Sequence, residues 1–232
     1  MTHRLTLEPA YILHRRPYSN TSYIIDFFTR HHGRLSAIAR SARGPKSRYQ
    51  GKLELFVPML ISYSGRFDLK NLGEVEFYQA PINLDGDALM CGFYLNELLH
   101  KLLQRDDPHV NLFDAYEKCL KKLNGLEERE SALRIFEKKL LQECGYGLEW
   151  SKEAKTALPI CAEKHYQYHA DQGFLEASSS TEHFSVISGH TLLGLANDLL
   201  IDAQQLKEAK RLMRILLAGL LEDKVIFSRG LF

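Results

Sequence analysis

The stretch AYILHRRPYSNTSYIIDFFTRHHGRLSAIA, residues 10–39, decides the fold. Residues 10–14 and 22–29 are rich in Tyr, Ile and Phe, side chains that fill a pleated, half-buried surface. Pro17-Tyr18-Ser19-Asn20 breaks between them. His31-His32-Gly33 reads as a hairpin turn into a third strand over residues 34–39, because Gly tolerates the positive φ such a turn needs. Residues 55–64 and 68–78 form another strand pair about Gly65-Arg66. Five short strands within about eighty residues predict a small closed barrel rather than a sandwich.

Beyond Pro81 the texture changes. Residues 87–104 repeat Leu89, Phe93, Leu95, Leu98, Leu99, Leu102 and Leu103 at helical spacing. Residues 111–123 and 130–144 follow in the same style, the latter ending at Gly145, a natural C-cap residue. Residues 146–187 lose the period and read as an irregular or β-containing insertion; the helical pattern resumes over 191–200 and 203–221. The expected class is α+β: a barrel domain, residues 1–80, followed by a mainly helical domain, residues 81–232.

A net charge of +1 conceals an uneven distribution. Residues 1–80 hold 12 Lys/Arg against 6 Asp/Glu, and residues 81–232 hold 18 against 23. The N-terminal part is thus suited to a polyanion, the C-terminal part to another task. The first residues lack the continuous apolar segment of a secretory signal, and the longest purely apolar run, residues 215–221, is far too short to span a bilayer. Cys91, Cys119, Cys144 and Cys161 form no C-x-x-C pair, which suits reduced thiols in the cytoplasm.

Catalytic signatures are missing: there is no G-x-S-x-G, H-E-x-x-H or G-x-G-x-x-G. Gly44-Pro45-Lys46-Ser47 superficially matches the end of a P-loop, but Pro45 stands where a Gly must offer its N–H to phosphate, so a nucleotide site is rejected. Cys161, His165 and His169 would give three zinc ligands if their segment were helical; read plainly they are a thiol and two surface imidazoles without a fourth ligand. Asp85 and Asp87 suit a helix first turn as well as they suit a metal. No metal or other cofactor, and no catalytic residue, is expected.

Positive charge is the informative signal. From Phe27 to Leu53 there is no acid, while Arg30, Arg34, Arg40, Arg43, Lys46, Arg48 and Lys52 fall in that span. Clustered cations gain by releasing the counterions condensed on a nucleic-acid backbone. Gly44 and Gly51 let the loop bend close to a strand, and Tyr49 offers a face on which a base can stack. The plain alternative is a solvated charge run that aids solubility. A second basic feature lies at residues 203–221, where Lys207, Lys210, Arg211 and Arg214 share one helix face broadly opposite Leu206, Met213, Leu216, Leu217 and Leu220. That face is either solvated or a dock for an acidic peptide or more nucleic acid.

An ordered set of blocks resembles the RecO family of bacterial DNA repair proteins. They are Leu13-His14-Arg15-Arg16-Pro17-Tyr18-Ser19, Phe28-Thr29, Gly33-Arg34, Ala39-Arg40-Ser41-Ala42-Arg43, Lys46-Ser47, Gly51-Lys52-Leu53, Phe56-Val57-Pro58 and Gly65-Arg66. Further along come Gly92-Phe93-Tyr94-Leu95-Asn96-Glu97-Leu98-Leu99, Ala132-Leu133-Arg134, Phe136-Glu137, Gly145-Tyr146-Gly147, Ala209-Lys210-Arg211, Ser228-Arg229 and Leu231-Phe232. The resemblance implies an N-terminal five-stranded OB-fold, a helical C-terminal domain and no catalytic turnover. It implies binding of single- and double-stranded DNA, annealing of complementary strands and, with RecR, loading of RecA on strands coated by single-strand-binding protein (SSB). It also implies the SSB C-terminal tail, an acidic peptide ending in an aromatic residue, as a partner.

Charge and resemblance together nominate Arg15, Arg16, Arg30, Arg34, Arg40, Arg43, Lys46, Arg48, Tyr49, Lys52 and Arg66 for DNA. Matching motif positions nominate Arg134, Lys210, Arg211 and Arg214 for the SSB tail. Many family members carry a four-cysteine zinc site within the region of residues 146–187, whereas this chain keeps only Cys161 there, so packing of Trp150, Tyr166, Tyr168 and Phe174 is expected in its place. Two other functions stay open: a protein-docking adaptor whose barrel charge is incidental, and an OB-fold RNA-binding factor.

Overall fold

A computed structural model describes residues 4–177, 186–221 and 225–228 of the chain. Its longest strand, β1 (Arg4–Tyr18), serves two partners. The first half pairs with β4 (Met59–Ser64), and the second with β2 (Ser22–Thr29), from Ala10 opposite Thr29 to Tyr18 opposite Ser22. Register shifts between Leu5 and Glu8, and between Ile12 and His14, supply the bend that closure requires. With β3 (Gly33–Ala39) and β5 (Leu69–Phe77) the strands close in the order β1-β2-β3-β5-β4. Every pairing is antiparallel except β3 with β5, which is parallel. The expected barrel is there, and it is OB-like.

One detail departs from the sequence reading. The chain does not break at Pro17; β1 runs on to Tyr18, and the turn is Ser19 to Thr21, with Ser19 at φ 52°. Beyond Ala10 this strand pairs with β2 alone, which leaves an open side for a residue that lacks an N–H.

Alternation along the strands sends Ile12, Ile25, Phe27, Leu35, Ala37, Met59, Ile61 and Leu72 into the barrel. The side chains between them, including Tyr11, Ile24, Phe28 and Ile38, are buried too. Two helices cover that outer face: α1 (Gly86–Leu102) and α2 (Val110–Lys122). Phe113 lies 5.5 Å from Tyr11 and 5.3 Å from Phe28 between ring centroids, and Tyr116 lies 5.2 Å from Tyr11. Buried Asn96 of α1 donates to the carbonyls of Ile12 (3.3 Å) and Leu13 (3.1 Å) at the bulge, and its own oxygen accepts from the Tyr116 hydroxyl at 2.5 Å. Gly33 is required where β3 meets the chain after α1: its φ is 65°, and a Cβ there would lie 1.9 Å from the Asp107 carbonyl oxygen.

Compactness divides the chain into Met1–Asn124 with Lys224–Phe232, and Gly125–Asp223. In the first unit the segment 225–228 returns to α1. Glu97 accepts from the N–H groups of Phe227 and Ser228, both at 2.9 Å, and from the Ser228 hydroxyl at 2.6 Å. Burial alone would raise the Glu97 carboxyl; donation from Lys101, Ser228 and Phe227 outweighs it and brings the pKa down to about 2. The block residues Arg229, Leu231 and Phe232 lie outside the described residues.

The second unit begins with α3 (Leu126–Glu143), which ends as the Gly145 signal predicts: Gly145 at φ 84°, Tyr146 N–H to Leu141 carbonyl, Gly145 N–H to Gln142 carbonyl. The insertion is a three-stranded sheet of β6 (His165–His169), β7 (Gly173–Glu176) and β8 (Val186–Ser188), in the order β7-β6-β8. Phe174 packs against Trp150 and Tyr168, and Tyr166 is buried with its hydroxyl accepting from the Cys161 N–H. Residues 178–185 of the region lie outside the described residues. Helices α4 (Gly189–Ala196) and α5 (Ala203–Leu221) complete the unit. Glu208 of α5 ties them together, accepting from the Ser188 N–H and the hydroxyls of Ser188 and Thr191. Burial opposes ionisation there, but those donors hold its carboxyl below the usual range.

Candidate nucleic-acid interface

A small OB barrel commonly presents strands 2 and 3 and the adjoining loops to an oligonucleotide. Here that strand face is closed by α1 and α2. Asp26 on its outer side accepts from Ser36 and from His100 of α1 (3.3 Å), and Arg34 donates from Nε to the Leu103 carbonyl at 3.1 Å. Burial would raise the Asp26 carboxyl, yet those hydrogen bonds and the charges of His100 and Arg34 bring it down to about 2. Burial, with Arg105 alongside, pushes the Arg34 guanidinium below its ordinary value. Arg30 is likewise committed, to Asp114 of α2 at 3.0 Å through both terminal nitrogens. These two nominated residues hold helices on the barrel.

The loop between β3 and β4 is what stays open. Its backbone is a chain of tight turns rather than loose coil: Gly44 N–H to Ser41 carbonyl, Ser47 to Gly44, Gln50 to Ser47 and Lys52 to Tyr49. Ser41 and Gly51 take positive φ, 56° and 70°, to make the changes of direction. One side is tied to the β1–β2 turn by the Arg43 N–H on the Thr21 carbonyl at 2.7 Å. The other is tied to β5. There β3 pairs only as far as Asn71, and loop side chains satisfy the carbonyls beyond it. Tyr49 donates its hydroxyl to Leu72 (2.8 Å) and lies within bonding distance of Gly73 (2.9 Å); Arg48 donates to Leu72 (3.2 Å) and Lys52 to Val75 (3.2 Å).

This anchoring corrects one expectation. Tyr49 is 3% exposed and belongs to the barrel core, with the Arg48 guanidinium 4.8 Å over its ring. It has no face left for a base; the aromatic in the basic loop is the loop's fastener. The other nominated residues separate by commitment. Arg15 bonds the Leu53 carbonyl and pairs with Glu54 at 3.4 Å. Arg40 donates to a neutral amide oxygen, Asn71 Oδ1, at 3.3 Å. Among the described residues no carboxylate pairs with Arg40, Arg43, Lys46, Arg48 or Lys52, and all five side chains are exposed. Arg16 is exposed on β1 and Arg66 on the β4–β5 turn.

Tyr23 was not singled out by the sequence. Arg15 lies 5.2 Å and Arg43 6.0 Å from its ring centroid, so one ring gathers two guanidinium groups beside the β1–β2 turn. Those three residues are brought together by strand register and a long loop, which local sequence does not encode.

The nominated residues of the second unit are partly spent on its interior. Arg134 is 4% exposed and pairs with Glu137 at 3.1 Å, and among the described residues its Nε has no hydrogen-bond partner. Lys210 of α5 pairs with Glu130 of α3 at 3.0 Å, and Arg211 donates to the Val186 carbonyl. Arg214 is exposed. Cys161, His165 and His169 do not form a ligand set: the two histidines end a strand, roughly 13 Å apart at four residues of extended chain. Among the described residues no group of three His, Cys, Asp or Glu is placed to hold a metal.

Fold and site define an OB-like barrel whose usual ligand face is sealed by its own helices and whose β3–β4 loop is an unpaired cationic cap. Comparison gives the family. Residues 1–81 match the family model "Recombination protein O N terminal" and residues 83–225 match "Recombination protein O C terminal". The chain is 54% identical over 234 residues to a Coxiella burnetii protein named DNA repair protein RecO, covering 100% of this chain and 99% of the relative. It is 42% identical to proteins of the same name from Nitrosococcus oceani and Methylococcus capsulatus, covering 98% and 99% of this chain and 93% of each relative. The chain belongs to the RecO family of DNA repair and recombination proteins. No helix among the described residues is long and apolar enough to cross a membrane.

Proposed function

We propose that the chain is a non-enzymatic recombination mediator that holds single- and double-stranded DNA on the β3–β4 loop of its barrel. The observation that carries this reading is the cap itself: Arg40, Arg43, Lys46, Arg48 and Lys52 are exposed, held on a turned and anchored backbone, and lack carboxylate partners among the described residues. Such charges are free to replace counterions on phosphate. Holding two strands against one cationic surface lowers their mutual repulsion, which is how binding alone promotes annealing.

In this reading residues 1–80 form the DNA-binding domain, and the helical domain, residues 81–232, carries the dock for the SSB tail. RecR is the expected co-mediator, with RecA the recipient of the cleared strand. For the SSB tail, Arg211 and Arg214 supply steering charge along one helix, beside Lys210, which Glu130 holds; among the described residues the Nε of buried Arg134 has no partner, and a carboxylate reaching α3 and α5 would satisfy it.

The test is a fluorescence-anisotropy titration of a labelled oligo(dT) with wild type and with the Arg40→Glu, Arg43→Glu, Lys46→Glu variant. Severe weakening with unchanged circular dichroism supports the site; undiminished binding overturns it. Peptide binding without any oligonucleotide binding by the wild type favours the adaptor.

A further inference from the structure

The sealed strand face raises a question about bases. Proteins that hold single strands without sequence preference combine a cationic track with aromatic rings on which bases stack. Here Tyr49 is buried, and the outward aromatic residues Tyr11 and Phe28 lie under α1 and α2. A stacking ring has to come from elsewhere on the barrel.

Resting on the DNA-binding reading above, we propose that Phe67 is the base-stacking residue of this barrel and that its ligand is an unpaired nucleotide of single-stranded DNA. Phe67 is 83% exposed, the most exposed of the large apolar side chains among the described residues. A scattered apolar side chain is ordinary on a surface. Phe67 differs in its setting. It sits in the β4–β5 turn, Gly65-Arg66-Phe67-Asp68, where Gly65 takes φ 126° and no L side chain fits easily. The turn is fixed on both sides, by Ser64 opposite Asn71 in β4–β5 and by Leu69 opposite Ser36 in β3–β5. The ring is therefore carried on a defined hairpin rather than on a loose tip.

The same hairpin is joined to the cationic cap. Arg40 reaches out of the basic loop to Asn71 Oδ1 at 3.3 Å, and Asn71 closes the base of the turn that bears Phe67. Four residues of extended chain separate Asn71 from Phe67, at most about 13 Å. A phosphate on Arg40 and a base on Phe67 are thus within reach of one strand. Arg66 and Lys70 flank the ring in sequence and keep the local field positive, against the single carboxylate of Asp68. Interior bases of a duplex are stacked on both faces, so the ring favours single strands.

The experiment measures affinity for oligo(dT) and for a blunt duplex of equal length, in wild type, Phe67→Ala, Phe67→Tyr and Phe67→Trp. Phe67→Ala weakens single-strand binding about ten- to one-hundred-fold, the range for loss of a base–aromatic stack. Its salt dependence and its duplex affinity stay those of the wild type, and Phe67→Tyr restores single-strand binding. In Phe67→Trp, where the only other tryptophan is Trp150, the added fluorescence is quenched by oligo(dT). Single-strand binding by Phe67→Ala equal to wild type, or unquenched fluorescence at saturation, overturns the assignment. If the triple charge reversal weakens binding while Phe67→Ala does not, the DNA site stands and the stacking role falls; if neither variant differs from wild type, both fall.

Discussion

The loop over residues 40–52 and helix α5 each present a row of basic side chains, yet their charges are committed differently. In the second unit Lys210 of α5 meets Glu130 and Arg134 of α3 meets Glu137, while Arg211 meets a backbone carbonyl and keeps its charge. In the loop, Arg40 meets an amide, and Arg48 and Lys52 meet carbonyls of β5. A cation bound to a carboxylate has its charge neutralised, whereas one bound to a neutral oxygen has gained a position and kept its charge. Counting Lys and Arg therefore overstates the second unit, where Lys210 and Arg134 are neutralised, and describes the loop correctly.

The comparison breaks most sharply under substitution. Reversing Arg40, Arg43 and Lys46 to Glu lowers oligo(dT) affinity by about a hundredfold or more at low salt, as expected when three attractive sites for phosphate become repulsive. Next comes the fastener. Tyr49→Ala empties a core site and releases the Leu72 and Gly73 carbonyls, lowering stability by about 3–5 kcal/mol in urea unfolding. Tyr49→Phe keeps the ring and costs about 1–3 kcal/mol. Were Tyr49→Phe as stable as wild type, the hydroxyl anchor would be wrong.

Smaller effects sharpen the picture. Asn96→Leu strands the carbonyls of Ile12 and Leu13 and the Tyr116 hydroxyl, at about 2–3 kcal/mol, measured the same way. Asp26 and Glu97 both ionise near pH 2 in the fold, below their ordinary values of 3.8 and 4.5. A depressed folded pKa gives stability that is complete above the unfolded value and lost as pH falls through the folded one. The melting temperature should thus drop between roughly pH 4.5 and 2, and Asp26→Asn should lower it at neutral pH while flattening that drop. Least affected is oligo(dT) binding by Lys210→Ala with Arg214→Ala, which should stay within about threefold of wild type. A weakening equal to that of the loop variant would erase the distinction between the two regions.

Much of the architecture was legible in local pattern. Stretches rich in Tyr, Ile and Phe between turn residues marked strands, helical-period stretches marked helices, and Gly145 marked a helix end that the Tyr146-to-Leu141 bond confirms. The covered strand face is encoded just as locally: in SYIIDFFT, Ile24 and Phe28 point outward and are as apolar as inward Ile25 and Phe27, the signature of a strand buried on both faces. The site was half legible. Charge without acid located the loop, but nothing local distinguishes a tyrosine that stacks on a base from one that plugs a barrel. Tyr49 is decided by carbonyls 23 and 24 residues away. Arg30 and Arg34 are decided likewise, by Asp114 and the Leu103 carbonyl, partners 84 and 69 residues distant. The small sheet of β6, β7 and β8 was legible only as an irregular or β-containing insertion, because its strands are three to five residues long.

The most direct measurement is the salt dependence of oligo(dT) affinity for wild type and for Arg40, Arg43 and Lys46 changed together to Ala. If these side chains hold phosphates, the logarithmic slope becomes shallower by about 2, near 0.7 for each phosphate no longer neutralised on a single strand. Equal slopes for the two proteins would contradict the account, whatever their affinities.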